Sequence, residues 1–217
     1  MKNYRKIGVL TIVITLFPIL AGLLLWNKLP NLVPMHWGIS GEVDRWASKT
    51  KAVFFMPCFC AAMQLFLLIM TSIDPRKKSI HRKPMMIAIW FIPVLSLVVN
   101  GAIYLIALGF KVNMVEVILI LLGVFFVLIG NYMPKLKKNY TIGIKIPWAL
   151  NSEENWIRTH RFGGKVYVVT GILCIIVGLL LNLIGENVAF AVIMILIFAG
   201  SFLIMGYSYW LYKYKHI

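Results

Sequence analysis

The sequence predicts an all-α polytopic membrane protein, a bundle of six transmembrane helices with both the N-terminus and the C-terminus in the cytoplasm. Three observations carry that prediction. Of the 217 residues, 61% are hydrophobic and only 13% are charged. Uninterrupted apolar runs of about 18–25 residues recur, long enough to cross a hydrocarbon core of roughly 30 Å. The charges collect in the connections between those runs. A soluble domain would show amphipathic periodicity and far more charge. A β-barrel would alternate apolar and polar residues over about ten positions, and no segment does so.

Spans are expected at 6–26, 51–73, 85–108, 114–133, 166–185 and 188–211. The first could be mistaken for a signal peptide, but its run from Ile7 to Trp26 exceeds a typical signal core. It ends Leu25-Trp26-Asn27-Lys28 with no small-residue cleavage site, so a retained span is expected. Pro18, Pro57 and Pro93 fall inside the first three spans, where each removes a backbone donor and kinks its helix. Gln64, Asn100 and Asn182 are the strongest polar side chains at membrane depth and are expected to act as interhelical glue. Cys58, Cys60 and Cys174 lie within spans as packed thiols, without disulfide or metal spacing.

Orientation follows from sorting the basic residues. The N-terminus, the 74–84 and 134–165 connections and the C-terminus hold seventeen Lys/Arg, against five in the alternate connections. The positive-inside rule then puts the seventeen in the cytoplasm, and the net charge of +15 reads as orientation plus contact with anionic membrane lipids. No motif for direct nucleic-acid binding accompanies it.

The chain divides into a two-span unit, 1–84, with an extracellular loop at 27–50, and a four-span unit, 85–217, with a cytoplasmic loop at 134–165. In the outer loop Pro30 and Pro34 favour extended backbone, and Val33, Met35 and Trp37 alternate with Pro34 and His36 as in a short strand. Gly38 and Gly41 permit a reversal before Glu42, Asp44, Arg45 and Trp46, which predicts a folded hairpin or lid. Trp37 and Trp46 suit interfacial anchoring and ligand contact equally. His36, Glu42 and Asp44 lack the paired histidines of a zinc helix, and neither a metal nor a cofactor is expected.

In the inner loop Asn131 and Pro134 end the fourth span. The stretch from Asn139 to Trp148, with Tyr140, Gly143, Lys145 and Pro147, is expected to lie extended under the bundle. Asn151 or Ser152 can cap a short surface helix over Asn155–Phe162 that carries Trp156, Thr159, His160 and Arg161 and stops at Gly163-Gly164. Its alternatives are a membrane-surface helix, with Trp156 and Phe162 in the interface, and a docking surface for a cytoplasmic partner. His36 and His160 fall on opposite sides of the membrane, and no nucleophile elbow, zinc helix or phosphate loop is present, so no enzyme is expected.

At these two loops the chain resembles the SdpI family, bacterial membrane proteins named for immunity to the sporulation-delaying protein toxin. Leu29-Pro30, Pro34, His36-Trp37, Gly41, Asp44-Arg45 and Lys49 fit the family's amino-terminal domain. Gly130-Asn131, Pro134, Asn139-Tyr140, Gly143-Ile144, Pro147-Trp148, Trp156, Thr159-His160 and Gly163-Gly164 fit its carboxy-terminal signature. Where the family usually reads Arg-Thr-Pro-Trp-Thr, this chain has Lys145-Ile146-Pro147-Trp148-Ala149, which loses an Arg fork and two hydroxyls. The resemblance implies immunity in the bacterial cell membrane against a secreted peptide toxin, which the outer loop would meet. It also implies a receptor role in which a small repressor is held at the membrane, and the topology then points to the inner loop as the place where a cytoplasmic winged-helix repressor would be partnered. A small-molecule or peptide transporter is the alternative reading. The absence of Asp, Glu, Lys or Arg from the span centres counts against a proton-coupled one.

Overall fold

The computed structural model describes residues 2–76 and 80–217. Lys77 and Lys78, two of the basic residues that bear on orientation, lie outside the described residues. The elements run α1 (Lys2–Leu24), β1 (Leu32–Trp37), β2 (Val43–Ser48), α2 (Lys49–Ile73), α3 (Arg82–Ala107), α4 (Met114–Tyr132), α5 (Pro147–Asn151), α6 (Glu153–Leu179), α7 (Leu181–Ile184) and α8 (Glu186–Lys215). Among the described residues six helices, α1, α2, α3, α4, α6 and α8, are long and apolar enough to cross a membrane, as expected. Their large exposed side chains are mostly Leu, Ile, Val and Phe, which is the surface a hydrocarbon solvent requires.

Helices α1, α2 and α3 form one packed group, joined by polar side chains buried at membrane depth. Pro93 has no N–H, so the Ile89 carbonyl one turn earlier loses its helical donor. Gln64 supplies the replacement: its Nε2 donates to Ile89 O at 3.0 Å and to Thr11 Oγ1 at 2.9 Å. Ser96 Oγ donates to Thr15 O at 2.8 Å, and Tyr104 donates its hydroxyl to Pro18 O at 3.1 Å. Gln64 is thus the glue the sequence suggested. Asn100 instead donates within its own helix, to Ser96 O at 2.7 Å. Asn182 is exposed in the one-turn α7, because the α6 span ends earlier than expected, and makes no side-chain hydrogen bond to a neighbouring span among the described residues.

Helices α4 and α6 form the second group, and here the structure corrects the sequence reading. The Gly163-Gly164 pair does not stop a surface helix. Instead α6 runs unbroken from Glu153 to Leu179, so the 153–162 segment and most of the expected 166–185 span are one helix. The glycines serve close approach: a Cβ on Gly164 would lie 2.7 Å from Gly130 O, and one on Gly130 would lie 2.8 Å from Gly164 O. One heptad along, a Cβ on Gly123 would lie 2.7 Å from Gly171 O, and Gly171 faces Gly123 in return. A further heptad brings Gly178 over Leu119 and Ile120. The two antiparallel backbones therefore meet through glycines at seven-residue steps, a small-residue seam of the kind that lets membrane helices pack without a hydrophobic drive. The helix reversal lies instead at Leu180–Gly185, where Gly185 takes φ +77°.

The seam predicts a sharp contrast among glycines. Gly171→Leu forces side-chain atoms into the α4 backbone and should lower the melting temperature in detergent clearly, in line with overpacking costs of about 1–3 kcal/mol or more. Gly206→Ala, where a Cβ meets nothing within 4 Å, should melt like the parent protein.

Candidate functional site

The two loops form built structures at opposite ends of the bundle. The 25-residue α2 separates them, about 37 Å at 1.5 Å per residue.

At one end β1 and β2 pair antiparallel as the expected hairpin. Val33, fully buried, plugs it into a core with Leu29, Val53, Ile103 and Tyr104, while Trp37 packs half-buried at the edge. Pro34 is also buried and Pro30 is exposed. The register slips around His36, so that Met35 on β1 and Asp44 on β2 are extra residues. This bulge turns His36 to solvent, where its Nδ1 lies 2.6 Å from Asp44 Oδ1. Ser40 donates its hydroxyl to Glu42, which holds the Glu42 carboxyl below the usual carboxylate range. Gly41 sits at φ +77° against the Glu186 carboxylate at the start of α8, and Asn113 Nδ2 donates to the same carboxylate at 2.7 Å. Lys49 fixes the other flank: its Nζ donates to Trp26 O at 3.0 Å and rests 4.8 Å from the Trp26 ring centroid. The outward surface left by this arrangement is His36, Ile39, Glu42, Asp44, Arg45 and Trp46, with Trp46 56% exposed.

At the other end residues 136–146 form a strap across the bundle. It is not the plain extended segment expected, and Pro147-Trp148 already belong to α5. The cause is Asn139, whose side chain behaves as a local backbone substitute. Its Oδ1 accepts from Thr141 N and Ile142 N at 2.9 and 2.7 Å, and its Nδ2 donates to Lys137 O and Ile142 O at 2.9 Å each.

Two latches hold the strap. The α6 latch is Trp156 and His160, stacked with ring centroids 3.9 Å apart. Trp156 Nε1 donates to Leu136 O at 2.7 Å, and Ile144 N donates to His160 Nε2 at 3.0 Å. His160 Nδ1 lies 2.8 Å from Trp156 O. A carbonyl facing Nδ1 and an N–H facing Nε2 are compatible with a single state, the neutral imidazole protonated on Nδ1. Gly143 passes over these rings at φ +129°, and a Cβ there would lie 2.6 Å from His160 Nε2. The α2 latch is Asp74, at the helix C-terminus where a carboxylate is disfavoured by the macrodipole. The strap compensates: Asp74 Oδ2 accepts from Tyr140 N at 3.0 Å and Thr141 Oγ1 at 2.5 Å, and Oδ1 accepts from Arg76 N at 2.7 Å. Burial works to raise the Asp74 carboxyl, but the Thr141 hydroxyl and the backbone donors together outweigh it and hold the carboxyl below its ordinary value.

The inner-loop residues singled out in the sequence therefore separate into two groups. Asn139, Trp156, Thr159 and His160 are buried. Trp156 is no interface anchor, because its N–H is needed by the Leu136 carbonyl inside the fold. Asn131, Pro134, Tyr140, Lys145, Pro147 and Arg161 are exposed, and Gly143 and Trp148 are half-buried. Asp74 and Asn155 were missed. Asn155 is fully buried, donates to Ser208 O and Ile217 O at 3.0 Å each and accepts from Ser208 Oγ at 2.7 Å, which ties α6 to α8. A signal for Asp74 existed: it is the one carboxylate in a 74–84 connection with five Lys/Arg.

Six apolar spans with a built cap at each end define a multi-pass membrane protein. Residues 135–208, from the strap to α8, match the SdpI/YfhL protein family, and residues 13–61, which enclose the hairpin, match a domain of unknown function, DUF1648. Over 194 residues the chain is 26% identical to the immunity protein SdpI of Bacillus subtilis (strain 168), covering 89% of this chain and 90% of that protein. The resemblance to the SdpI family is thereby shown, and the chain is similar to an immunity protein over nearly its whole length. No solved structure matches it.

Each latch has a separable signature. Trp156→Phe keeps an aromatic ring beside His160 but loses one buried hydrogen bond, leaving the Leu136 carbonyl orphaned at about 1–3 kcal/mol. Proteolysis within 137–146 should accelerate accordingly. The Asp74 latch should respond to acid. Its carboxyl is depressed in the folded state, so its contribution is complete above the ordinary value of 3.8 and is lost as pH falls below that value. Hydrogen-exchange protection of the Tyr140 amide should drop across that window in the parent protein, and should already be reduced at pH 6 in Asp74→Asn.

Proposed function

We propose that this protein protects the cell carrying it from a secreted peptide toxin, by binding the toxin or blocking its insertion at the hairpin face. The observation that carries this reading is the similarity to an immunity protein along nearly the whole chain, hairpin and strap included. The seventeen basic residues on the strap side against five on the hairpin side support placing the hairpin outside and both termini in the cytoplasm. An exposed Trp46, Ile39 and Arg45 beside the hydrogen-bonded His36–Asp44 pair offer an amphipathic peptide both apolar area and polar partners. The mode is binding without turnover: His36 and His160, the histidines a shared catalytic site would have to bring together, sit at opposite ends of the bundle.

A receptor role is the second part of the proposal, resting on the strap. A cytoplasmic partner such as a small winged-helix repressor would meet Tyr140, Lys145, Pro147 and Arg161, while buried Trp156 and His160 hold that surface in shape. The two-unit division, 1–84 and 85–217, belongs to the same proposal, one unit meeting the toxin and the other reporting it.

Expression in a toxin-sensitive strain tests the first part. Survival should rise with the parent protein, and should fall at least tenfold when Trp46 and Arg45 are both changed to Ala at equal membrane abundance. Survival no better than the empty vector, with insertion confirmed, would overturn the immunity reading. The receptor part predicts that Tyr140→Ala with Lys145→Ala abolishes partner capture and leaves resistance intact.

A further inference from the structure

The strap end carries an unusual pair of cations. Lys83, in the first turn of α3, and Lys135, just beyond α4, both place their Nζ over the ring of Tyr132, at 5.7 and 5.3 Å from its centroid. Both lysines are exposed, and among the described residues neither has a carboxylate within ion-pair distance. Two acids of this end are committed elsewhere: Asp74 to the strap and Glu154 to Arg158 at 2.5 Å. Two like charges over one aromatic ring, with no carboxylate in ion-pair distance among the described residues, suit an anion.

A second observation lies directly along the same helices. An apolar groove of about 300 Å³ runs between α3 and α4, lined among others by Ile87, Trp90 and Val94 on one side and Val124, Phe125 and Leu128 on the other. Lys83, Ile87, Trp90 and Val94 follow each other at helical spacing on α3, and Val124, Leu128 and Tyr132 do so on α4. The groove and the cation pair are therefore one continuous stripe, charged at the bundle end and hydrocarbon below. Val94, Val124 and Leu128 remain about 40% exposed along it.

We propose that this stripe is a binding site for one anionic phospholipid, its phosphate between Lys83 and Lys135 and one acyl chain in the α3–α4 groove. A free anion would use the lysines and have no need of the groove. A neutral lipid would use the groove and have no need of two unpaired lysines. The two together select a molecule that is anionic at the head and apolar in the tail, as basic pockets between membrane helices do. A phosphate held by both lysines fastens the α3 start to the α4 end next to the strap.

Native mass spectrometry of the full chain, released from micelles holding equimolar phosphatidylglycerol and phosphatidylcholine, tests the site. The parent protein should retain a single phosphatidylglycerol at least fivefold over phosphatidylcholine. Lys83→Gln with Lys135→Gln should erase that preference, and Leu128→Trp, which fills the groove, should reduce retention of either lipid. Lys213→Gln with Lys215→Gln, a basic pair on α8 at the same end, should leave the parent pattern unchanged. Equal loss in the α8 pair would mean diffuse attraction and overturn the site. So would displacement of the lipid by millimolar inorganic phosphate, which would identify a free-anion site. Unchanged melting temperatures establish that the lysine variants remain folded.

Discussion

The close antiparallel approach of α4 and α6 governs the rest of the C-terminal architecture. Gly123 and Gly130 on α4 meet Gly171 and Gly164 on α6 with no room for a Cβ, and Gly178 extends the contact by one more heptad. In hydrocarbon, burial of apolar side chains supplies no drive between helices, so backbone proximity and dispersion must supply it. That requirement keeps α6 straight through Gly163-Gly164 and carries its first turns past the end of α4. Trp156 and His160 then stand where Leu136 and Ile144 can reach them, and Asn155 stands against α8. A helix that stopped at the glycine pair would leave the strap without its latch.

The N-terminal group solves the same problem differently. It uses prolines and the polar groups that answer them, as in Gln64 serving the Ile89 carbonyl that Pro93 leaves open. Each such bond contributes about 0.6–2 kcal/mol. The group needs fewer close backbone contacts as a result, and its hairpin is held mainly by Val33 in a mixed aliphatic and aromatic core. The two matched regions, 13–61 and 135–208, thus correspond to two physical strategies for packing helices in lipid.

Most of the fold was legible in the sequence because span length and loop charge are coarse, additive signals. The hairpin was legible too: alternating Val33, Met35 and Trp37 followed by Gly38 and Gly41 leaves little else for that segment to be. The inner loop was harder for a specific reason. Gly-Gly after a short amphipathic stretch reads locally as a helix stop, and the competing explanation, close approach to Gly130, lies thirty-four residues away in sequence. The seven-residue spacing of Gly123 and Gly130, repeated in Gly164, Gly171 and Gly178, was the visible clue. Burial of His160 and Trp156 had no such clue, since their exposure depends on where an irregular strap lies, and that is set by Asn139 and Asp74.

The tip of the hairpin rests on Gly41, which is restricted twice, by a left-handed backbone and by the Glu186 carboxylate beside it. Its neighbours in the chain are under no such restriction: Ile39, Arg45 and Trp46 point away from the fold. Evolution therefore meets a frame it can scarcely alter, bearing side chains it can exchange one at a time. What the hairpin presents can thus be retuned without reinventing how it folds.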